Sequence, residues 1–131
     1  MATLRQDVSL DADPAEVWDA LRDFDALHER LVRGFVTACE SDGRERVLTF
    51  FNGMVVRELL VGTDDDRRRL TYAITEGFTH YQGTAEVVPD GTGCRLVWHV
   101  DLLPDERAAD VAELMAHGAE AMRRTLVRSV V

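Results

Sequence analysis

The hydrophobic period of this chain changes after Val32, and that change restricts the fold more than any other feature. Six short runs follow, FVTAC, RVLTFF, MVVRELLV, RLTYAIT, HYQGTAEVV and CRLVWHVDLL, rich in β-branched and aromatic residues. The segments between them, SDG, NG, TDDD, EG and PDGTG, are turn chemistry, so the runs read as strands of an antiparallel meander. From about residue 105 to residue 128 the period is helical again. That stretch has no proline, places Asp and Glu at its start and Arg at its end, and spaces Val111, Met115, Gly118, Ala119, Met122 and Leu126 along one side. It predicts a single long helix laid over the sheet.

The segment ahead of the meander completes the order. Residues 3–11 alternate imperfectly and predict an opening strand. Asp13 precedes Pro14 and Glu16, which makes Asp13 the natural N-cap of a helix whose apolar side is Val17, Trp18 and Leu21. A second short helix is expected from about 24 to 31. The result is an α+β chain with about seven strands, and a sheet that curls round a long helix leaves space between them. With 131 residues, no linker and no internal repeat, one domain covering 1–131 is expected. A hydrophobic share of 46% and a charged share of 30% make that domain globular rather than disordered.

Charge and residue types remove several classes of function. The net charge of −9 repels phosphate backbones and anionic lipid surfaces, which argues against a nucleic-acid partner. All fifteen basic residues are arginine, so no lysine is present for Schiff-base chemistry. Cys39, Cys94 and four scattered histidines show no metal-ligand spacing, and neither metal nor cofactor is expected. Whether the two cysteines approach each other stays open. No run reaches membrane-spanning length and the N-terminus lacks a signal-peptide pattern, so a cytoplasmic protein without membrane insertion is expected, as monomer or homodimer.

Alternation along the strands sorts candidate residues into faces. On 54–61, Met54, Val56, Glu58 and Leu60 share one side and Val55, Arg57, Leu59 and Val61 the other, with nothing local to choose between them. Glu58 facing an apolar space would be an acid/base or a polar anchor; facing solvent it would pair with Arg57 or another surface arginine. Leu70, Tyr72 and Ile74 oppose Arg69, Thr71, Ala73 and Thr75, which turns Tyr72 inward. Tyr81, Gly83, Ala85 and Val87 form the less polar side of the next run, where small residues beside a tyrosine could border empty space or plain core. In CRLVWHVDLL the apolar set Leu96, Trp98, Val100 and Leu102 should face inward, leaving His99 and Asp101 outside. On the final helix, Met115, Gly118, Ala119 and Met122 suit either a cavity or a tight helix–sheet contact. His80 and His117 read as surface residues and TDDDRRR as a solvated turn. Neither GxSxG nor an activated-cysteine motif is present.

The element order, together with DADPAEVWDALRDFDAL, VRELLVGTDDDRRRLTYAI and GTGCRLVWHVDLLP, resembles the SRPBCC (START-like) superfamily, and within it the small bacterial polyketide cyclase/dehydrase type. The resemblance covers nearly the whole chain. It implies a helix-grip fold, with a curved antiparallel sheet gripping the C-terminal helix and an internal cavity for a hydrophobic or aromatic molecule such as a lipid, polyketide or isoprenoid. It also implies an inward Glu58 and places Tyr72 and Tyr81 towards that cavity. His28 stands where the family often has a Trp-His-Pro sequence, but without its Trp and Pro neighbours. Counting back from Pro104 by the same resemblance brings His99 and Asp101 inward, against the alternation, unless a bulge intervenes. The ligand-lining set so expected is Val56, Glu58, Tyr72, Ile74, Tyr81, Gly83, Trp98, Met115, Gly118, Ala119 and Met122. Glu58, Tyr72 and Tyr81 are the candidates for chemistry. Three functions follow from the family: ligand carriage, polyketide cyclisation or dehydration, and co-chaperone-like protein interaction.

Overall fold

The computed structural model describes residues 1–126. Strand β1 (Ala2–Leu10) leads into α1 (Pro14–Arg22) and the single turn α2 (Leu27–Arg30). Six strands follow: β2 (Val36–Ser41), β3 (Glu45–Phe50), β4 (Val55–Asp64), β5 (Arg69–Ala73), β6 (His80–Asp90) and β7 (Gly93–Leu103). A 3-10 turn at Asp105–Arg107 then introduces α3 (Ala108–Thr125). The seven strands form one sheet in the order β1-β7-β6-β5-β4-β3-β2, and every neighbouring pair is antiparallel. The expected helix-grip architecture is therefore the observed one.

Local chemistry explains most of the boundaries. Asp13 caps α1, its carboxylate accepting from the Ala15 amide at 2.9 Å, and Pro14 fills the first helical position, where no amide donor is needed. Val17, Trp18, Ala20 and Leu21 are the buried face of α1. The second helix is shorter than the expected 24–31. Asp23 to Ala26 form a turn, and the Phe24 carbonyl accepts from the Arg46 guanidinium instead of from a helical amide. At the other end, the predicted helix of 105–128 begins with the 3-10 turn, α proper starts at Ala108, and its expected last residue, Arg128, lies outside the described residues.

The strands expose one face and bury the other. In β5 the alternation is regular, with Leu70 and Tyr72 buried, and β7 buries Leu96, Val100 and Leu102 on one side while Val97 on the other side is buried as well. β4 is bulged between Leu60 and Gly62, and β2 between Val36 and Ala38. Such bulges sharpen local twist and help a sheet curl. Helix α3 rests chiefly on β1 at one edge. Val111, Met115, Gly118, Ala119, Ala121 and Met122 form its buried face. Because α3 lies to one side, and α1, α2 and the 31–36 segment cover other parts, the concave face of β3 to β5 is not wholly filled.

Candidate functional site

That unfilled region is a cavity of about 340 Å³, lined mainly by apolar side chains of the sheet, α3 and the 31–36 segment. Its volume falls at the small end of the range of ligand pockets. The polar groups along its wall include side chains of four adjacent strands, β3 to β6. Glu58 on β4 stands directly opposite Arg46 on β3, and both are almost enclosed, with side chains 9% and 5% exposed. Arg46 donates twice to Glu58 Oε1, from Nε at 2.9 Å and from Nη2 at 2.7 Å, while its Nη1 donates to the Phe24 carbonyl at 3.2 Å. The guanidinium also lies 4.0 Å above the Phe24 ring. An ion pair this deep survives because its geometry and extra hydrogen bonds offset the loss of water.

Beside this pair stand the two phenols. Tyr72 and Tyr81 are buried on β5 and β6, with ring centroids 6.3 Å apart. The Tyr72 hydroxyl accepts from the Trp98 indole nitrogen at 3.0 Å, so its own proton is available to the neighbouring Tyr81 hydroxyl or to a ligand. Burial raises both phenols above the ordinary tyrosine range, the negative charge of Glu58 adding to the effect. They remain protonated hydrogen-bond donors at neutral pH. Tyr72 can take this place because β6 has Gly83 opposite it: a Cβ on Gly83 would overlap the Tyr72 ring.

The buried phenols lead to a prediction. The chain has two tyrosines, both enclosed, so ultraviolet titration should show no phenolate in the folded protein near pH 10, where free tyrosine ionises. A phenol whose folded pKa is raised favours the folded state less as pH climbs past its unfolded value, because the unfolded chain then releases a proton that the folded one keeps. Phenolate absorbance should therefore appear together with the loss of near-ultraviolet circular dichroism. Titration of either tyrosine near pH 10 without unfolding would contradict their burial.

Of the residues singled out by sequence, Val56, Glu58, Tyr72, Ile74, Tyr81, Trp98, Met115 and Met122 line the cavity. Gly83, Gly118 and Ala119 do not. Gly83 makes room for a ring rather than for a ligand. Gly118 is a close contact, its absent Cβ falling 3.0 Å from Trp98 and 3.3 Å from Phe35, so a leucine there would displace core aromatics instead of simply filling space. His99 and Asp101 point outward: β7 keeps an unbroken register with β1 and β6, no bulge shifts its faces, and Asp101 accepts from Thr3 at the surface. The count back from Pro104 is thus overturned by the regular pleat. His28 forms a 3.5 Å contact with Glu29 and does not line the cavity. Cys39 and Cys94 are free thiols. Asp65, in the TDDD turn, accepts from the Trp18 indole and from Arg22, and no metal-binding cluster exists among the described residues.

Arg46 is the residue that sequence reading missed. A period-two reading of ERVLTF would have found it, since Arg46 alternates with Leu48 and Phe50 on the inward face. The rim of the cavity was also unmarked. Arg107 donates to the Gly77 carbonyl at 2.6 Å and lies 4.2 Å from the Phe78 ring, tying the start of α3 to the β5–β6 loop. Chemically, the site offers an apolar space with one buried carboxylate, already paired, and two phenol donors on its wall, with Glu76 and Asp110 also among its lining residues.

Comparison with known proteins follows the same outline. A family model described as polyketide cyclase/dehydrase and lipid transport matches residues 1–130. The solved structure of XoxI from Bacillus cereus is similar at a TM-score of 0.82 and 23% identity, over 96% of each chain. A START superfamily protein from Mycobacterium smegmatis is similar at 0.74 and 17%, over 95% of this chain and 96% of that one. Norcoclaurine synthase from Thalictrum flavum, solved with a transition-state analogue, is similar at 0.68 and 19%, over 95% and 93%. At these identities the likeness is one of fold. No curated protein sequence matches the chain.

Proposed function

We propose a function on the ground that the chain belongs to the polyketide cyclase/dehydrase and lipid transport family: it holds a small, predominantly apolar molecule in the cavity between the sheet and α3. The observation behind this reading is the cavity itself, about 340 Å³ of apolar-walled space beside a short polar strip made by Glu58, Tyr72 and Tyr81. Apolar walls supply affinity through buried area, and a few polar groups fix orientation. Among the described residues no helix is long and apolar enough to cross a membrane.

The test is a thermal-shift screen over lipids, sterols, isoprenoids and polyphenols, followed by a structure with the best compound. Val56 is half-buried on β4 and borders the cavity, so Val56→Phe adds volume there while keeping a strand-favouring side chain. We expect this variant to lose ligand-induced stabilisation while its own unfolding free energy stays within about 1.5 kcal/mol of the parent. A screen with no stabilising compound, or full binding by Val56→Phe, would remove the cavity as the site.

A second reading, cyclisation or dehydration of a poly-β-ketone, draws on one specific feature. Glu58 is a carboxylate near two protonated phenols, which is a base beside hydrogen-bond donors. The carboxylate could take a proton from the carbon between two ketones while a phenol hydrogen-bonds the enolate oxygen. Glu58→Gln and Tyr81→Phe should then return the product distribution of a reactive poly-β-ketone to that of the uncatalysed reaction. Products unchanged by the parent protein would leave binding alone.

A further inference from the structure

The polar strip distinguishes between ligands, and this inference rests on the binding reading above. Both Arg46 donors to Glu58 converge on Oε1. The other oxygen, Oε2, receives no hydrogen bond from a described residue, yet it is not among the fully enclosed polar atoms without a partner, which are His28 Nδ1 and Arg95 Nε. Glu58 lines the cavity, so the accessible space left to Oε2 is the cavity's own. A nearly buried carboxylate oxygen with unfilled acceptor capacity calls for a donor.

The surroundings sharpen this demand. Arg46 has all three nitrogens engaged, and its plane is covered by Phe24, so its charge is committed to Glu58 and the Phe24 carbonyl. The phenols of Tyr72 and Tyr81 stay protonated and can donate, Tyr72 having already accepted from Trp98. The charges at the rim balance in kind: Arg57 lies 3.6 Å from Glu76, and Arg107 and Asp110 stand at the start of α3. The Arg107 guanidinium is held on the Gly77 carbonyl and against the Phe78 ring, and Glu58 is the carboxylate that stands nearly buried in the wall beside the phenols.

We infer that the cavity selects an uncharged apolar ligand bearing a hydroxyl, which donates to Glu58 Oε2 and accepts from a neighbouring phenol, and that it discriminates against carboxylates. A hydroxyl is the group that can do both at once, whereas a carboxylate only accepts and would face Glu58 as a like charge. A plain hydrocarbon would fill the space but leave Oε2 without its partner.

Three probes with one ring system separate these cases: naphthalene, naphthol and naphthoate, titrated against the full chain at neutral pH and followed by amide chemical shifts. Naphthol, neutral as tyrosine is, should bind about tenfold or more tightly than naphthalene, and ionised naphthoate more weakly than either. In the doubly apolar variant Arg46→Met with Glu58→Leu, which removes the pair without stranding a charge, naphthalene should still bind and the advantage of naphthol should disappear. Equal binding of all three probes, or naphthoate matching naphthol, overturns the selectivity while leaving the cavity as a binding site. Failure of all three to bind at the cavity overturns the binding reading and this inference with it.

Discussion

Arg46→Ala should lower the unfolding free energy by about 3–5 kcal/mol, because it leaves the Glu58 carboxylate buried without its counter-charge. For a chain of this length the loss corresponds to a fall in Tm of roughly 10–20 °C. Glu58→Ala should cost a similar amount for the mirror reason. The two substitutions are strongly coupled: the residues face each other across β3 and β4, and Arg46 also braces the turn at Phe24. Replacing both by apolar side chains of similar volume, Arg46→Met with Glu58→Leu, should recover most of the loss, since neither charge then has to be desolvated. Urea denaturation of the parent, the two alanine variants and the doubly apolar variant compares a stranded charge with a removed pair. A loss under about 1 kcal/mol for Arg46→Ala would place the pair with ordinary surface ion pairs and refute its structural weight.

The second large effect is expected at Gly83. A methyl group at this position, usually favourable in a strand, would here enter the space of the Tyr72 ring on the neighbouring strand. Tyr72 must swing away, and its bond to the Trp98 indole nitrogen goes with it. Overpacking together with that lost hydrogen bond should make Gly83→Ala cost about 2–4 kcal/mol. The Trp98 indole proton should shift in the NMR spectrum, reporting the broken contact. In a Tyr72→Ala background the obstruction is gone, so Gly83→Ala should there cost little or stabilise the strand. Equal cost in both backgrounds would show that Gly83 is needed for some reason other than Tyr72.

These two positions show where residue patterns suffice and where they stop. Alternation alone turned Tyr72 and Trp98 inward, and both line the cavity. Where alternation and the count from Pro104 disagreed, over His99 and Asp101, the regular pleat of β7 decided for alternation. Glu58 was undecidable from its own strand, whose two faces are equally apolar, and only the resemblance turned it inward. Its pairing was harder still. Arg46 faces Glu58 because the β3–β4 hairpin sets that register, and a charge on an apolar face gives no sign of what lies across from it.

Small residues pose a different difficulty. Gly83, Gly118 and Ala119 occur on inward faces, and a missing side chain there means either empty space or an approaching neighbour. At Gly83 the neighbour is Tyr72, and at Gly118 it is Trp98 with Phe35. The shortening of the second helix has the same origin. The Phe24 carbonyl is taken by an arginine more than twenty residues away, a partner that no local propensity can register.

What the sequence determined by itself was the order of elements, the capped first helix, the meander and the inner face of β5 and β7, because each rests on short-range periodicity, turn chemistry and capping. What the tertiary structure alone decided was the content of the interior: which small residues mark space, which charge meets which, and where the cavity opens. Those depend on register and on the packing of elements distant in sequence, and a buried charge or an absent side chain takes its meaning from the atom that arrives opposite it.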